Sequence, residues 1–294
     1  MSHKSGFINI IGNPNVGKST LTNTLINKKL SIISPKSQTT RHRILAIDSG
    51  KNYQMVFSDT PGILQPAHKL HKSMMDFVKT SFDDADIIIY VVEFNDHKLK
   101  NSKLLAKIIS TDIPLFIVIN KIDCIDQKKL EDEVAHWKKV IPKAEIWPIS
   151  ATERFNTSEL KKRLIEILPV GPKYFPDDQL SDKSERFFVN EIIREKILLN
   201  YSEEIPYSVE VSTDSFKDES KILKIYSVIM VERESQKGIL IGHKGNALKK
   251  IGTQARKEIE SFFEKKVFLD LKVRVNKNWR SSDSELRKFG YIQK

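Results

Sequence analysis

The stretch "GNPNVGKST", Gly12 to Thr20, sets two glycines, a lysine and a hydroxyl at fixed spacing. It fits G-x-x-x-x-G-K-[ST] and lies where that pattern has meaning, after the apolar run "FINII" and before the helical "STLTNTLINKK". Gly12 and Gly17 let backbone N–H groups approach phosphate oxygens, Lys18 neutralises β- and γ-phosphate charge, and the Ser19 hydroxyl reaches Mg²⁺. The expected phosphate cradle is Gly12, Asn13, Pro14, Asn15, Val16, Gly17, Lys18, Ser19 and Thr20. A second cluster, "NKID" from Asn120 to Asp123, follows the apolar run "LFIVI". A carboxylate there accepts from the N1–H and exocyclic amino group of guanine. Adenine lacks that amino group and would leave a buried acid unsatisfied, so GTP is favoured over ATP.

These clusters need a scaffold that holds them on one edge. Short apolar runs recur at Phe7 to Ile11, Arg43 to Ile47, Tyr53 to Phe57, Ile87 to Val92, Leu115 to Ile119 and Glu145 to Ile149, separated by amphipathic stretches. Continuous apolar strands alternating with helices predict a mostly parallel sheet covered on both faces. In such sheets ligands bind outside the carboxyl ends of the strands, which is where both clusters fall.

Composition narrows the class. The chain has 294 residues, 39% hydrophobic and 30% charged, enough for about two ordinary cores. Its longest apolar run, "IIIYVV", is far short of the roughly 18 residues of a membrane span. The N-terminus runs directly into a strand without a signal-peptide pattern, and Cys124 is the only cysteine, so a cytoplasmic location is expected and no intrachain disulfide or multi-cysteine zinc site can form. His68 and His71, three apart, lack further ligand spacing for a metal, and Trp137 and Trp147 are expected in the core or at its edge. The net charge is +11 and the pI near 9.4. From Arg233 to Lys294 there are 16 Lys and Arg against 7 Asp and Glu, which points that end of the chain toward a polyanion.

With "DTPG" at Asp59 to Gly62 and "ISA" at Ile149 to Ala151, the order and spacing resemble the nucleotide-binding boxes of the translation-factor class of GTPases. The resemblance implies that Asp59 holds Mg²⁺ through water, that Gly62 bonds the γ-phosphate by its N–H, and that Thr60, Pro61 and Ser150 belong to the same loops. It further implies that Asn120 and Lys121 buttress base and loop, with Ala151 donating its N–H to guanine O6. The loop "QTTRHR" would bring a threonine onto Mg²⁺, Thr40 being favoured and Thr39 left open, while His42 reads as a solvated loop histidine. Lys18, Thr40, Asp59 and Gly62 are the expected catalytic set. Ras-like GTPases place a water-orienting Gln directly after this glycine, and here that position is Ile63. Slow intrinsic hydrolysis is therefore expected, aided by a partner or by K⁺ near Asn15, as in the hydrophobic-substituted GTPases this chain resembles.

After a segment rich in proline, "LPVGPKYFPDDQLSDKS", the pattern turns to α-β-β-α-α-β, which matches the type II KH fold. Between its later helices stands "GHKG", Gly242 to Gly245. KH domains clamp about four nucleotides of single-stranded RNA with such a G-x-x-G loop, whose middle residues, here His243 and Lys244, meet phosphates. Lys237, Lys249, Lys250, Arg256 and Lys257 would form the electrostatic track, and Ile239 and Ile241 an apolar floor for bases. The expected fold is thus an α/β P-loop GTPase domain (1–170) with a mostly parallel sheet, a linker (171–183), and an α+β type II KH domain with a C-terminal tail (184–294).

"GNPNVGKSTLTN", "QTTRHRILAI", "DTPG", "NKID", "FFVNEIIREKIL", "KGILIGHKGNALKKIGTQARKEIE" and "VRVNKNWR" together resemble segments of the Era GTPases nearly end to end. That resemblance implies GTP or GDP with Mg²⁺, a monomer, a grip on the 3′ end of 16S rRNA, a role in assembly of the small ribosomal subunit, and peripheral association with the cytoplasmic membrane. Trp279 is open to two readings, stacking on RNA or a helical lid on the domain. Two other functions stay open. An RNA scaffold with a structural nucleotide site is opposed by intact Lys18, Ser19 and Asp59, and a regulatory GTPase acting on a membrane or protein target by Gly242 and Gly245.

Overall fold

The computed structural model describes residues 2–97 and 102–292. Its backbone divides into two compact units, residues 1–67 with 71–182 and residues 68–70 with 183–294.

In the first unit the elements run β1 (Lys4–Gly12), α1 (Lys18–Ile26), β2 (Ile44–Ser49), β3 (Tyr53–Asp59), α2 (Lys69–Thr80, of which residues 71–80 belong to this unit), β4 (Ile87–Val92), α3 (Ser102–Ser110), β5 (Leu115–Ile119), α4 (Gln127–Val140), β6 (Glu145–Pro148) and α5 (Thr157–Ile167). One six-stranded sheet has the order β2-β3-β1-β4-β5-β6. Only β2 is antiparallel to its neighbour; the other pairings are parallel. All six residues of β4 and all five of β5 are buried, the pattern of strands covered on both faces. Because β1, β4 and β5 are parallel and central, their carboxyl ends bring Gly12, Glu93 and Asn120 to the same edge of the sheet.

Residues 171–182, expected as part of a linker, belong to this first unit. Ile47 N–H donates to the Leu180 carbonyl (2.9 Å) and the Ser181 hydroxyl to that of Leu45 (2.6 Å), while Gln54 takes the N–H groups of Tyr174 (2.7 Å) and Phe175 (3.0 Å). The open edge of β2 explains this: its unpaired backbone groups find partners in a strap whose prolines prevent a full strand from forming. The boundary between units follows Asp182.

The second unit contains α6 (Glu185–Asn200), α7 (Ile205–Ser208), β7 (Glu210–Glu219), β8 (Ile222–Val231), α8 (Glu234–Ile241), α9 (Asn246–Phe263), β9 (Val267–Val275) and α10 (Asp283–Lys288). Ser184 caps α6 by accepting from Phe187 N–H. The sheet order is β7-β8-β9, with β7 antiparallel and β9 parallel to β8. Residues 207 and 208 lie in the one-turn helix α7, where Pro206 is at the first turn. Val189, Ile193, Ile197, Ile225, Ile229, Leu240, Ala255 and Ile259 form the centre of a core between the sheet and helices α6, α8 and α9.

Trp279 is fully buried; its Nε1–H donates to the Ser208 carbonyl (2.9 Å), and Phe289 meets its ring edge-on at 5.7 Å. A ring so enclosed cannot stack on a base, so of its two readings the lid is the one the structure takes.

Candidate functional sites

The phosphate cradle is built by the turn from β1 into α1. Gly17 has a φ of +93°, and a Cβ there would come within 2.2 Å of Asn120 Nδ2, so only glycine permits this approach of cradle and base loop. Lys18 is buried, and its Nζ donates to the carbonyls of Gly12 (3.1 Å) and Asn13 (2.8 Å). Burial pushes its ammonium down to about 8, against the opposing pull of the Asp59 and Asp96 carboxylates.

Three oxygens of different elements meet beside it. The Ser19 hydroxyl donates to Asp59 Oδ2 (2.7 Å) and lies 2.8 Å from Thr40 Oγ1. This set of hard oxygen donors fits Mg²⁺. Thr39 lines the same cavity but donates its hydroxyl to the Lys36 carbonyl (2.6 Å), whereas Thr40 meets Ser19. A cavity of about 230 Å³ lies over the cradle, lined by Pro14, Lys18, Ser19, residues 32–36, Thr40, Gly62 and Lys121. Asn15, exposed at its mouth, donates from Nδ2 to the Pro35 carbonyl (2.9 Å). Gly62 packs against the cradle, where a Cβ would fall 2.7 Å from Pro14 Cα. Thr60 donates its hydroxyl to the Ile10 carbonyl (2.7 Å), and Pro61 is buried beside it. Ile63 is wholly buried, with its N–H on the Gly12 carbonyl (3.1 Å). Val16 is buried beneath the loop, and Thr20 is partly exposed on α1.

At the other end, Asn120 joins three loops. Its Nδ2 donates to the Val16 carbonyl (2.9 Å), and its Oδ1 accepts from Ala151 N–H (3.0 Å). The Ala151 donor expected to face guanine O6 is therefore engaged with Asn120, because that bond closes the last loop onto the cradle. Lys121 pairs through Nζ with Glu93. Asp123 is exposed, and the Ser150 hydroxyl bonded to it holds its carboxyl below the usual range.

Sequence reasoning missed two acids at the end of β4, Glu93 and Asp96. The latter accepts from Asn13 Nδ2 at 2.6 Å. The polar residues following "IIIYVV" were the available signal, since they leave the same sheet edge as the cradle.

In the second unit, α8 ends at Ile241, a single 3₁₀ turn covers His243–Gly245, and α9 follows. His243 and Lys244 are exposed, as is half of Ile239, whereas Ile241 packs on the core. A groove of about 360 Å³ runs between α9 and β9, lined by Gly245, Leu248, Lys249, Gly252, Thr253, Arg256, Leu269 and Leu271. Lys249 and Arg256, seven apart, share this face of the helix. Lys250 is exposed one position further round, and Lys257 lines a separate depression with Lys196, Leu199 and Asn200, so it does not join Arg256 in one track. Lys237 stands 4.0 Å from Glu234. The apolar walls Leu248, Leu269 and Leu271 escaped sequence reading because they alternate along β9 and α9 like ordinary core residues.

Residues 7–121 match the family model described as 50S ribosome-binding GTPase, and residues 204–280 match the KH domain. GTPase Era of Clostridium kluyveri is 45% identical over 290 residues, covering 98% of this chain and 99% of its own. GTPase Era of Geotalea uraniireducens is 46% identical over 291 residues, covering 98% of each. Among solved structures, Era in complex with MgGDPNP and nucleotides 1506–1542 of 16S ribosomal RNA superposes with a TM-score of 0.94 at 38% identity, covering 99% of this chain and 100% of its own. An Aquifex aeolicus Era variant bound to GDP·AlF₄⁻ gives the same TM-score, identity and coverage. The phosphate cradle, the guanine-reading loop and the G-x-x-G turn thus occur in one chain that aligns with these relatives from end to end, and the chain belongs to the Era family of GTPases.

Proposed function

We propose that this GTPase binds GTP and Mg²⁺ at the cradle and grips the single-stranded 3′ end of 16S rRNA in the groove beside Gly242 to Gly245, assisting assembly of the small ribosomal subunit. The observation that carries the reading is the pairing of two built sites, Ser19, Thr40 and Asp59 converging beside Lys18 in one unit and the basic groove behind a G-x-x-G turn in the other. The relative solved with MgGDPNP together with nucleotides 1506–1542 supports simultaneous occupation of the two.

Each residue has a role in this reading. Lys18 meets the β- and γ-phosphates, exchanging its bonds to the Gly12 and Asn13 carbonyls for phosphate oxygens. Ser19, Asp59 and Thr40 hold Mg²⁺, Asp59 through water. The metal would supply positive charge where the γ-phosphoryl leaves. Thr40 lies on the loop between α1 and β2, so loss of the γ-phosphate frees that loop. Asp123 accepts from the guanine edge, and Asn120 fixes the loops around it. Ile63 supplies no group to orient water, so intrinsic turnover is slow and depends on positioning and charge, with K⁺ beside Asn15 as an added source. No helix among the described residues is long and apolar enough to cross a membrane.

The RNA arm is tested at Gly245, whose φ is +77° and around which a Cβ would meet nothing within 4 Å. Gly245→Asp therefore strains the turn and sets a negative charge where a phosphate passes. The expected result is a fall in affinity for a 16S 3′-end oligonucleotide of about 10- to 100-fold, with GTP turnover unchanged. Unchanged RNA affinity would remove the groove as the binding site.

A further inference from the structure

The carboxylate of Asp96 is 83 residues from the cradle in sequence yet joins it directly. Asp96 Oδ1 accepts from Asn13 Nδ2 at 2.6 Å, a short charge-assisted bond. Asn13 is 5% exposed, and its carbonyl is the nearer of the two that hold Lys18 Nζ, at 2.8 Å against 3.1 Å for Gly12. A line of bonds thus runs from Asp96 through both ends of Asn13 to the lysine of the phosphate site.

The turn that carries Asp96 is itself fixed. Its own N–H donates to the Glu93 carbonyl (3.0 Å), and Glu93 pairs with Lys121 of the guanine-reading loop. On the other side His97 Nε2 lies 2.9 and 3.0 Å from the two oxygens of Glu133 on α4. Glu133 is buried and also accepts from Trp137 Nε1–H at 3.0 Å. Asp96 thus sits between two residues, Glu93 and His97, that are each bonded to other elements.

We propose that Asp96 is a positioning residue of the nucleotide site: it orients Asn13, and through the Asn13 carbonyl it sets where Lys18 waits for phosphate. The proposal rests on the reading of this cradle as the nucleotide site. Asp96 touches no reacting atom in this role. Its loss should weaken nucleotide binding while leaving the chemical step intact, because the cradle relaxes to several arrangements of which only some accept phosphate.

The test is equilibrium binding of fluorescent GDP to the full chain as wild type, Asp96→Ala, Asp96→Asn, Asn13→Ala and Asn13→Ala with Asp96→Ala, together with turnover at saturating GTP. The wild type must bind GDP; failure to do so would overturn the nucleotide-site reading itself. Asp96→Ala is expected to weaken binding about tenfold with turnover at saturation within about twofold, and Asn13→Ala to weaken binding by a similar factor. Asp96→Asn retains an oxygen that accepts from Asn13 and is expected to stay within about threefold of wild type. The double variant should be no weaker than either single, the signature of two residues acting through one bond. Asp96→Ala binding as wild type, Asp96→Asn as weak as Asp96→Ala, or losses that add in full would each overturn the proposal. If Asp96→Ala unfolds, Asn13→Ala and Asp96→Asn decide the matter alone.

Discussion

Lys18→Ala is expected to lower GTP turnover by about 10³-fold, and GTP affinity with it. Lys18 is buried, and its ammonium lies where burial already holds it down to about 8, so the site keeps a poorly hydrated positive charge ready for an anion. Water screens such a charge little, and its attraction for a triphosphate is correspondingly large. Alanine removes that charge and leaves the carbonyls of Gly12 and Asn13 without their lysine partner. Nucleotide binding followed by fluorescence and phosphate release at saturating GTP checks both parts. Turnover within tenfold of wild type would show that the charge at the γ-phosphate comes from elsewhere.

Asp123→Asn is expected to lower affinity for GDP by about 10²- to 10⁴-fold and to raise affinity for the xanthine nucleotide by a comparable factor. The exposed Asp123 carboxyl, kept ionised by its bond from Ser150, offers only acceptors, which suit the N1–H and amino group of guanine. An amide presents a donor as well, which suits the carbonyl that xanthine carries in place of the amino group. Competition of GDP and xanthosine diphosphate for each protein measures the exchange directly. If Asp123→Asn kept its preference for guanine, base selection would lie with another residue.

Much of this was legible because the chemistry is local in sequence. The spacing Gly12, Gly17, Lys18, Ser19 needs only a strand before it and a helix after it, and β1 and α1 supply them. The continuous apolar runs of β4 and β5 announced a covered parallel sheet, and Gly242 and Gly245 marked the turn into α9. The rest depended on tertiary contact. Thr40 separates from Thr39 only through its approach to Ser19, and no local pattern distinguishes the two. Asp96 reaches Asn13 across the sheet edge, and Ala151 turns its N–H to Asn120 for reasons of loop closure. The proline-rich segment read as a linker because its composition forbids a strand, yet the open edge of β2 binds it through single hydrogen bonds. Lys257 looked like part of a basic track in one dimension and faces a different depression in three.

A switch requires that the two nucleotide states differ in affinity for the partner, since a ligand that binds both alike shifts nothing. We propose that the GTP state, rather than the GDP state, is the one that holds RNA. The direct test is titration of a fluorescent single-stranded RNA carrying the 3′ terminus of 16S rRNA against the full chain, at fixed salt, in GDP and in a non-hydrolysable GTP analogue with Mg²⁺. Binding about tenfold tighter with the analogue is the expected result, a coupling of ordinary size. Equal affinity in the two states, or tighter binding in GDP, would contradict it.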